Sequence, residues 1–194
     1  MNIVTKKYIN TVKKQMLEYD KIRKDVITVS NEALHHSKRA IFALHRDNMN
    51  EAREKMDQAA RIFQEMAYKY KKERKAFFEG SFKAAAEEYV EADLFFQFIE
   101  SGKIAKVRGL QVSPEIFTAG LCDVPGELYR YAVKAATDND LQTVKKCATA
   151  GQEIIGELIE FNLTKYLRTK FDQAKSAVQR LEGIVYDLSL RKDS

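Results

Sequence analysis

Proline and glycine are scarce in this 194-residue sequence, with 2 Pro and 8 Gly. That scarcity excludes collagen-like, Pro-rich and linker-dominated chains. Only two cysteines occur, Cys122 and Cys147, too few for a disulfide scaffold and without the spacing of a zinc site. Long apolar runs are missing as well. The longest apolar-rich stretch, Leu94–Ile99, falls far short of the roughly 20 residues that a membrane span needs. The N-terminal stretch MNIVTKKYINTVKKQ is amphipathic and lacks the apolar core of a signal peptide. These absences lead to the expectation of a soluble, cytoplasmic protein in a reducing compartment, with no membrane partner.

What is present is a mixture suited to a packed core. The chain is 45% hydrophobic and 31% charged, and its apolar residues recur throughout, which argues against disorder. The length fits one generous domain, taken as residues 1–194, with no internal repeat or low-complexity segment. Charge is unevenly placed. Residues 1–78 hold 18 Lys/Arg against 10 Asp/Glu, whereas residues 79–194 hold 15 against 18. A basic first part and an acidic second part suggest a polyanionic partner and a separate carboxylate-rich site. Lopsided solvated helix faces produce the same imbalance.

The hydrophobic period is helical almost everywhere. Tyr8, Val12, Met16, Tyr19, Ile22, Val26, Val29, Ala33, Ala40 and Leu44 step mainly by three and four, predicting one long helix or two collinear ones over 5–46. Asn48-Met49-Asn50 breaks the run, and Asn50 is the expected N-cap of a second helix reaching Tyr70. A third helix is expected over about 81–100, closed by Ser101-Gly102. Ser113-Pro114-Glu115 is the clearest start signal: Ser caps, Pro takes the first helical position, and Glu favours the positive end of the dipole. That helix should reach about Thr137, interrupted by Pro125 and Gly126. Two more are expected over 141–163 and 165–190. No alternating strand pattern appears, so the predicted fold is an all-α bundle of six or seven helices.

Two acidic motifs carry candidate chemistry. In Glu87-Glu88-Tyr89-Val90-Glu91-Ala92, Glu88 and Glu91 are i,i+3 neighbours among apolar residues. Acids so placed are partly buried, and a buried acid must be paired, protonated or bound to a cation. In Gly120-Leu121-Cys122-Asp123-Val124-Pro125-Gly126-Glu127-Leu128, Asp123 and Glu127 share one face if the helix persists through Pro125. Two such helices side by side can hold a hard cation, Mg²⁺ or Mn²⁺, able to polarise a phosphate and acidify a bound water. The same spacings occur on solvated helix faces. A ferritin-like di-metal protein is the all-α rival, but it normally uses Glu-x-x-His pairs. None of His35, His36 and His45 follows a Glu by three.

Lys69-Tyr70-Lys71-Lys72-Glu73-Arg74-Lys75 is the best candidate for nucleic-acid contacts. The cationic side chains of Lys69, Lys71, Lys72, Arg74 and Lys75 with an interleaved Tyr suit sequence-independent phosphate binding. The competing reading is a helix end decorated with cations. Lys38 and Arg39 form a weaker patch. Adjacent His35 and His36 point about 100° apart on a helix and do not readily share one ion. Cys122 reads as a buried structural thiol rather than a nucleophile. Tyr129, Tyr131, Phe161, Tyr166, Phe171 and Tyr186 are expected in the core or an interface.

Taken in order, EEYVEA (87–92) with the following FQFI, GLCDVPGELYR (120–130) and LEGIVYDLSLR (181–191) resemble the translin and translin-associated factor X family. The resemblance covers about residues 10–191 and sides with the catalytic factor X branch, in a shorter, archaeal-type form. It implies a seven-helix fold, assembly into a hollow homo-octamer, binding of single-stranded RNA or DNA, and Mg²⁺-dependent endoribonuclease activity. Glu88, Glu91 and Asp123 match that branch's catalytic acids, and Glu127 a nearby acidic position. On this resemblance Glu91 and Asp123 would bind the ion, Glu88 would complete the shell or orient a water, and Glu127 would stand behind them. Pro125 puts the placement of Glu127 most in question. A nucleic-acid-binding protein of the same fold that does not turn over substrate is the alternative.

Overall fold

A computed structural model describes residues 5–190, except for the side chain of Arg74. Residues 1–4 and 191–194, and with them the start of the N-terminal amphipathic stretch and Arg191 of the closing motif, lie outside the described residues. Six α-helices and one 3-10 turn follow in order: α1 (Lys6–Leu44), α2 (Met49–Lys69), the 3-10 turn (Arg74–Phe78), α3 (Gly80–Ser101), α4 (Pro114–Thr137), α5 (Leu141–Ile159) and α6 (Lys165–Leu190). No strand occurs among the described residues, so the all-α expectation holds. None of these helices is long and apolar enough to cross a membrane.

The boundaries follow local chemistry. Asn48, not Asn50, caps α2, accepting a hydrogen bond from the Glu51 amide at 3.2 Å. The capping role moves because Asp47 adopts a left-handed conformation, φ 58°, which ends the α1 turn two residues earlier. Ser113 accepts from the Ile116 amide at 3.3 Å, the cap predicted for α4. Gly102, with φ 70°, ends α3 in the left-handed region where only glycine sits without a Cβ penalty. Pro125 does not interrupt α4, which is continuous from Pro114 to Thr137 with Pro125 buried inside it. The missing N–H costs one hydrogen bond of the ladder, and packing on both sides holds the helix together. Helix α5 ends at Ile159 rather than 163.

Helix α1 packs on α2 and α3, α4 packs on α3, α5 and α6, and α5 on α6. The most buried element is α3, apolar nearly all round from Tyr89 to Phe98, as expected of a central helix. The stripe of α1 is buried at Val26, Ala33, Ala40 and Leu44, but Tyr8 and Met16 are exposed, at 69% and 62%. The N-terminal part of α1 thus projects beyond the bundle with its apolar side uncovered in one chain. Tyr166, Tyr186 and Phe161 are likewise exposed, whereas Phe171 is core.

The segment between α3 and α4 is tied back to α3. Buried Asp93 accepts from the Arg108 amide at 2.9 Å and from its guanidinium at 2.8 Å. Gln97 accepts from the Ala105 amide at 2.9 Å, and the Tyr89 hydroxyl donates to the Arg108 carbonyl at 2.8 Å. One face of α3 therefore serves the loop and leaves Glu87, Glu88 and Glu91 to another.

Candidate active site

The acids come together because two helices approach very closely. At Gly120 of α4, an added Cβ would lie 2.6 Å from Val90 Cγ1 and 2.8 Å from the Glu87 carbonyl oxygen. No other residue allows that contact, and it sits one turn before Asp123. Glu88, Glu91, Asp123 and Glu127 face one another closely enough for each to perturb others' ionisation. Both helix pairs predicted from spacing are thus brought to one place, across Pro125.

Three of the four acids have their own cation. Glu88 lies 4.0 Å from the ammonium of Lys38 on α1. Asp123 accepts a short hydrogen bond from Lys170 of α6. Glu127 forms a short hydrogen bond with His45, the C-cap residue of α1, and accepts from Arg130 at 3.0 Å. Glu91 is the exception. It is 9% exposed and forms no hydrogen bond or ion pair with the described residues.

The ionisation of each acid follows from these surroundings. Burial, reinforced by the charges of Asp123, Glu88 and Glu127, pushes the Glu91 carboxyl well above the usual glutamate range. Burial also raises Glu88, with Lys38 opposing and Asp123 and Glu127 adding to the rise. Asp123 is raised by burial against the pull of Lys170. Burial opposes the charge on Glu127 too, but the hydrogen bonds and charges of His45 and Arg130 win, and its pKa falls below the ordinary value. Lys170 holds its proton more firmly than a free lysine, since its contact with Asp123 outweighs its burial.

Among the described residues no three His, Cys, Asp or Glu side chains already converge as a metal-binding group. The donor set nevertheless fits a hard divalent cation. It consists of carboxylate oxygens alone, carries an excess of negative charge, and includes one buried carboxylate without a partner, for which a bound cation removes the penalty. Glu88, Glu91 and Asp123 would supply the ligands, and Glu127, fixed by His45 and Arg130, would stand in support.

The other sequence candidates fall elsewhere. Lys69 ends α2 and pairs with Asp25 on α1 at 2.8 Å, while Lys38 and His45, further along α1, meet the acids. With about 1.5 Å of rise per residue, the basic stretch therefore lies about 20–30 Å along α1 from the acids. Lys71 rests over the Tyr68 ring at 5.1 Å, Lys72 and Lys75 are exposed, and the Arg74 side chain lies outside the described part. His35 is exposed and His36 half-buried, with its pKa lowered by burial and by Lys55. Cys122 is buried, and its thiol is pushed up to about 11 by burial, which fits a structural role. Sequence reasoning missed His45, Lys170 and Tyr166 as neighbours of the acids, since they lie 40 or more positions away along the chain. The one available signal was that buried acids demand cations.

An acid cluster at the junction of α1, α3, α4 and α6, balanced by cations from separate elements, defines a helical bundle with a carboxylate site. The chain belongs to the translin family, whose model matches residues 21–192. Translin of Gallus gallus is 32% identical over 85 residues, covering 43% of this chain and 37% of that protein, so the match spans little more than a third of that relative's length. Among solved structures, AfC3PO gives a TM-score of 0.87 at 24% identity, covering 96% of this chain and 100% of that one. The complex of AfC3PO with duplex RNA gives 0.86 at 24% identity, covering 95% and 97%. Apo-NeC3PO gives 0.83 at 17%, covering 96% and 98%. These likenesses establish the fold.

Proposed function

We propose that this protein is a divalent-metal-dependent endoribonuclease of the factor X type, acting on single-stranded RNA as a homo-oligomer, an octamer by family resemblance. The observation that carries the reading is Glu91: a buried carboxylate without a partner, facing three further acids. Such a group is costly to keep unless a cation enters beside it. Membership of the translin family and the likeness to AfC3PO, a structure of which holds duplex RNA, support nucleic acid as the partner. An archaeal-type, self-assembling form of the factor X branch is the finer assignment.

When bound, Mg²⁺ or Mn²⁺ supplies charge for the phosphate oxygens and lowers the pKa of a bound water. Glu91 and Asp123 would hold the ion from two different helices, which the α3–α4 approach at Gly120 brings together. Glu88, at the edge of the cluster near Lys38, would complete the shell or accept a proton from water. Glu127 stays ionised through His45 and Arg130 and keeps the negative field fixed. Lys69, Lys71, Lys72, Arg74 and Lys75 bind the strand's phosphates away from the acids.

The second reading, a single-stranded RNA- or DNA-binding protein without turnover, draws on the pairing of Asp123 and Glu127 with protein cations. Cleavage of a short labelled single strand separates the two. The assay uses Mg²⁺, EDTA and the Glu91→Ala protein, each beside a duplex control. Loss of cleavage in EDTA and a drop of at least about 100-fold in Glu91→Ala are expected. Binding without cleavage assigns the chain to the second reading, and wild-type-like cleavage by Glu91→Ala refutes the site.

A further inference from the structure

The cation nearest the acids is one the protein brings itself. Lys170 projects from α6 with its side chain 14% exposed. Its ammonium is hydrogen-bonded to Asp123 and lies 3.6 Å from Glu87. The Tyr166 ring, one turn earlier on α6, covers it at 5.3 Å, and the Tyr166 hydroxyl donates to Glu87 at 2.7 Å. Glu87 is therefore held in place beside the ammonium, on the α3 turn that bears Glu88 and Glu91.

Asp123 cannot serve two cations in the same way. A divalent ion on its carboxylate would sit close to an ammonium hydrogen-bonded to Oδ2 of the same group, and like charges at such separation repel strongly where water is scarce. The lysine stem is flexible, and a second carboxylate already stands 3.6 Å away.

We infer that Lys170 is a built-in, exchangeable counter-ion: it occupies Asp123 before metal enters and passes to Glu87 when a divalent ion takes its place. This rests on the proposed metal site. Ion binding is then an exchange between two cations. Glu87 acts as the lysine's alternative seat, and α6 registers whether the site is filled because the exchange changes which helix Lys170 grips. Lys170 and Glu87 are positioning residues here.

A double-mutant cycle of Mn²⁺ affinity, read by titration calorimetry on the full chain without RNA, tests the exchange. Lys170→Met removes the competitor, so Mn²⁺ should bind up to about 5-fold more tightly, the scale of one close charge pair partly exposed to water. Glu87→Gln removes the alternative seat, so Mn²⁺ should bind about 3-fold or more weakly. The decisive result is the double variant: if Lys170 needs Glu87 only as its seat, Glu87→Gln has no further effect once Lys170 is gone. Lys170→Gln serves the same cycle if the Met variant does not fold. An equal loss from Glu87→Gln in both backgrounds makes Glu87 a general source of negative charge and overturns the exchange. Weaker Mn²⁺ binding in the Lys170 variant makes the lysine a scaffold of the site and overturns it too. A wild-type chain that binds no Mn²⁺ refutes the metal reading itself, a result distinct from either.

Discussion

In the metal-free protein, Glu91 should be a source of instability, and Glu91→Gln should stabilise the fold. The carboxyl is buried, unpaired and surrounded by three other acids. Burial and the neighbouring acids raise its folded-state pKa, so the folded protein binds this proton more firmly than the unfolded chain does, and stability falls as pH rises from the ordinary glutamate range through the folded value. An unfolded glutamate titrates near 4.5, and each pH unit above that is worth about 1.4 kcal/mol. At pH 7 the penalty therefore stays below about 3.4 kcal/mol, because a group facing a larger cost simply keeps its proton. Glutamine has nearly the same shape and no charge, so most of the penalty should disappear. For a chain of this length, 1 kcal/mol corresponds to roughly 2–4 °C in Tm, and a gain of about 1–3 kcal/mol predicts a Tm higher by roughly 2–12 °C in EDTA at pH 7. Circular dichroism melts at pH 7 and pH 5 check this. The advantage of the variant should shrink on acidification, and Mn²⁺ should raise the Tm of the wild type but scarcely that of the variant. A Glu91→Gln protein that melts below wild type in EDTA at pH 7 would show that the carboxylate is paired after all.

Gly120→Ala should cost about 1–3 kcal/mol in urea unfolding, because the new Cβ meets Val90 at 2.6 Å and the Glu87 carbonyl at 2.8 Å; an unchanged midpoint would mean that α3 and α4 slide apart freely. Asp93→Ala should lose about 1.5–3 kcal/mol, less than a fully buried pair because Arg108 is half-exposed, and should speed hydrogen exchange at the Arg108 amide. Protection there at wild-type level would refute the tie between loop and α3. Neutralising Lys71, Lys72, Arg74 and Lys75 together should weaken RNA binding and flatten its dependence on salt by roughly one log unit per lost phosphate contact; an unaltered salt slope would remove the stretch from the interface.

How far the sequence could be read depended on the range of the interaction involved. Helix identities, the Ser113 cap and the Gly102 stop rest on neighbours within four residues, and all were legible. The burial of Glu88 and Glu91 was legible too, since they lie among apolar residues. Pro125 was misjudged because a ladder break is a local cost, whereas the packing that retains the helix comes from other elements. The choice of Asn50 over Asn48 failed on a single left-handed residue, Asp47, whose φ no pattern of apolar spacing records. Tyr8 and Met16 continued the α1 stripe perfectly but are exposed: periodicity reports an amphipathic face and not what covers it. The partners of the acids were invisible for a different reason. Lys170 and His45 reach the acids from 47 and 82 positions away, a distance at which only tertiary folding brings partners together.

The way the charges are paired explains why one acid stands apart. Lys38, His45 and Lys170 each hold a different acid, and they come from the body of α1, its end, and α6. A shared counter-ion would draw all four carboxylates to one point, whereas separate ones keep each acid against its own wall. Separate pairing also leaves one carboxyl in the middle with no hydrogen bond or ion pair among the described residues, its proton held by burial and by the surrounding acids. That position falls to Glu91, on the most buried helix and opposite the closest helix–helix approach in the acid cluster. Among the described residues the fold thus gives three of the acids a hydrogen-bonded or ion-paired partner and leaves Glu91 without one.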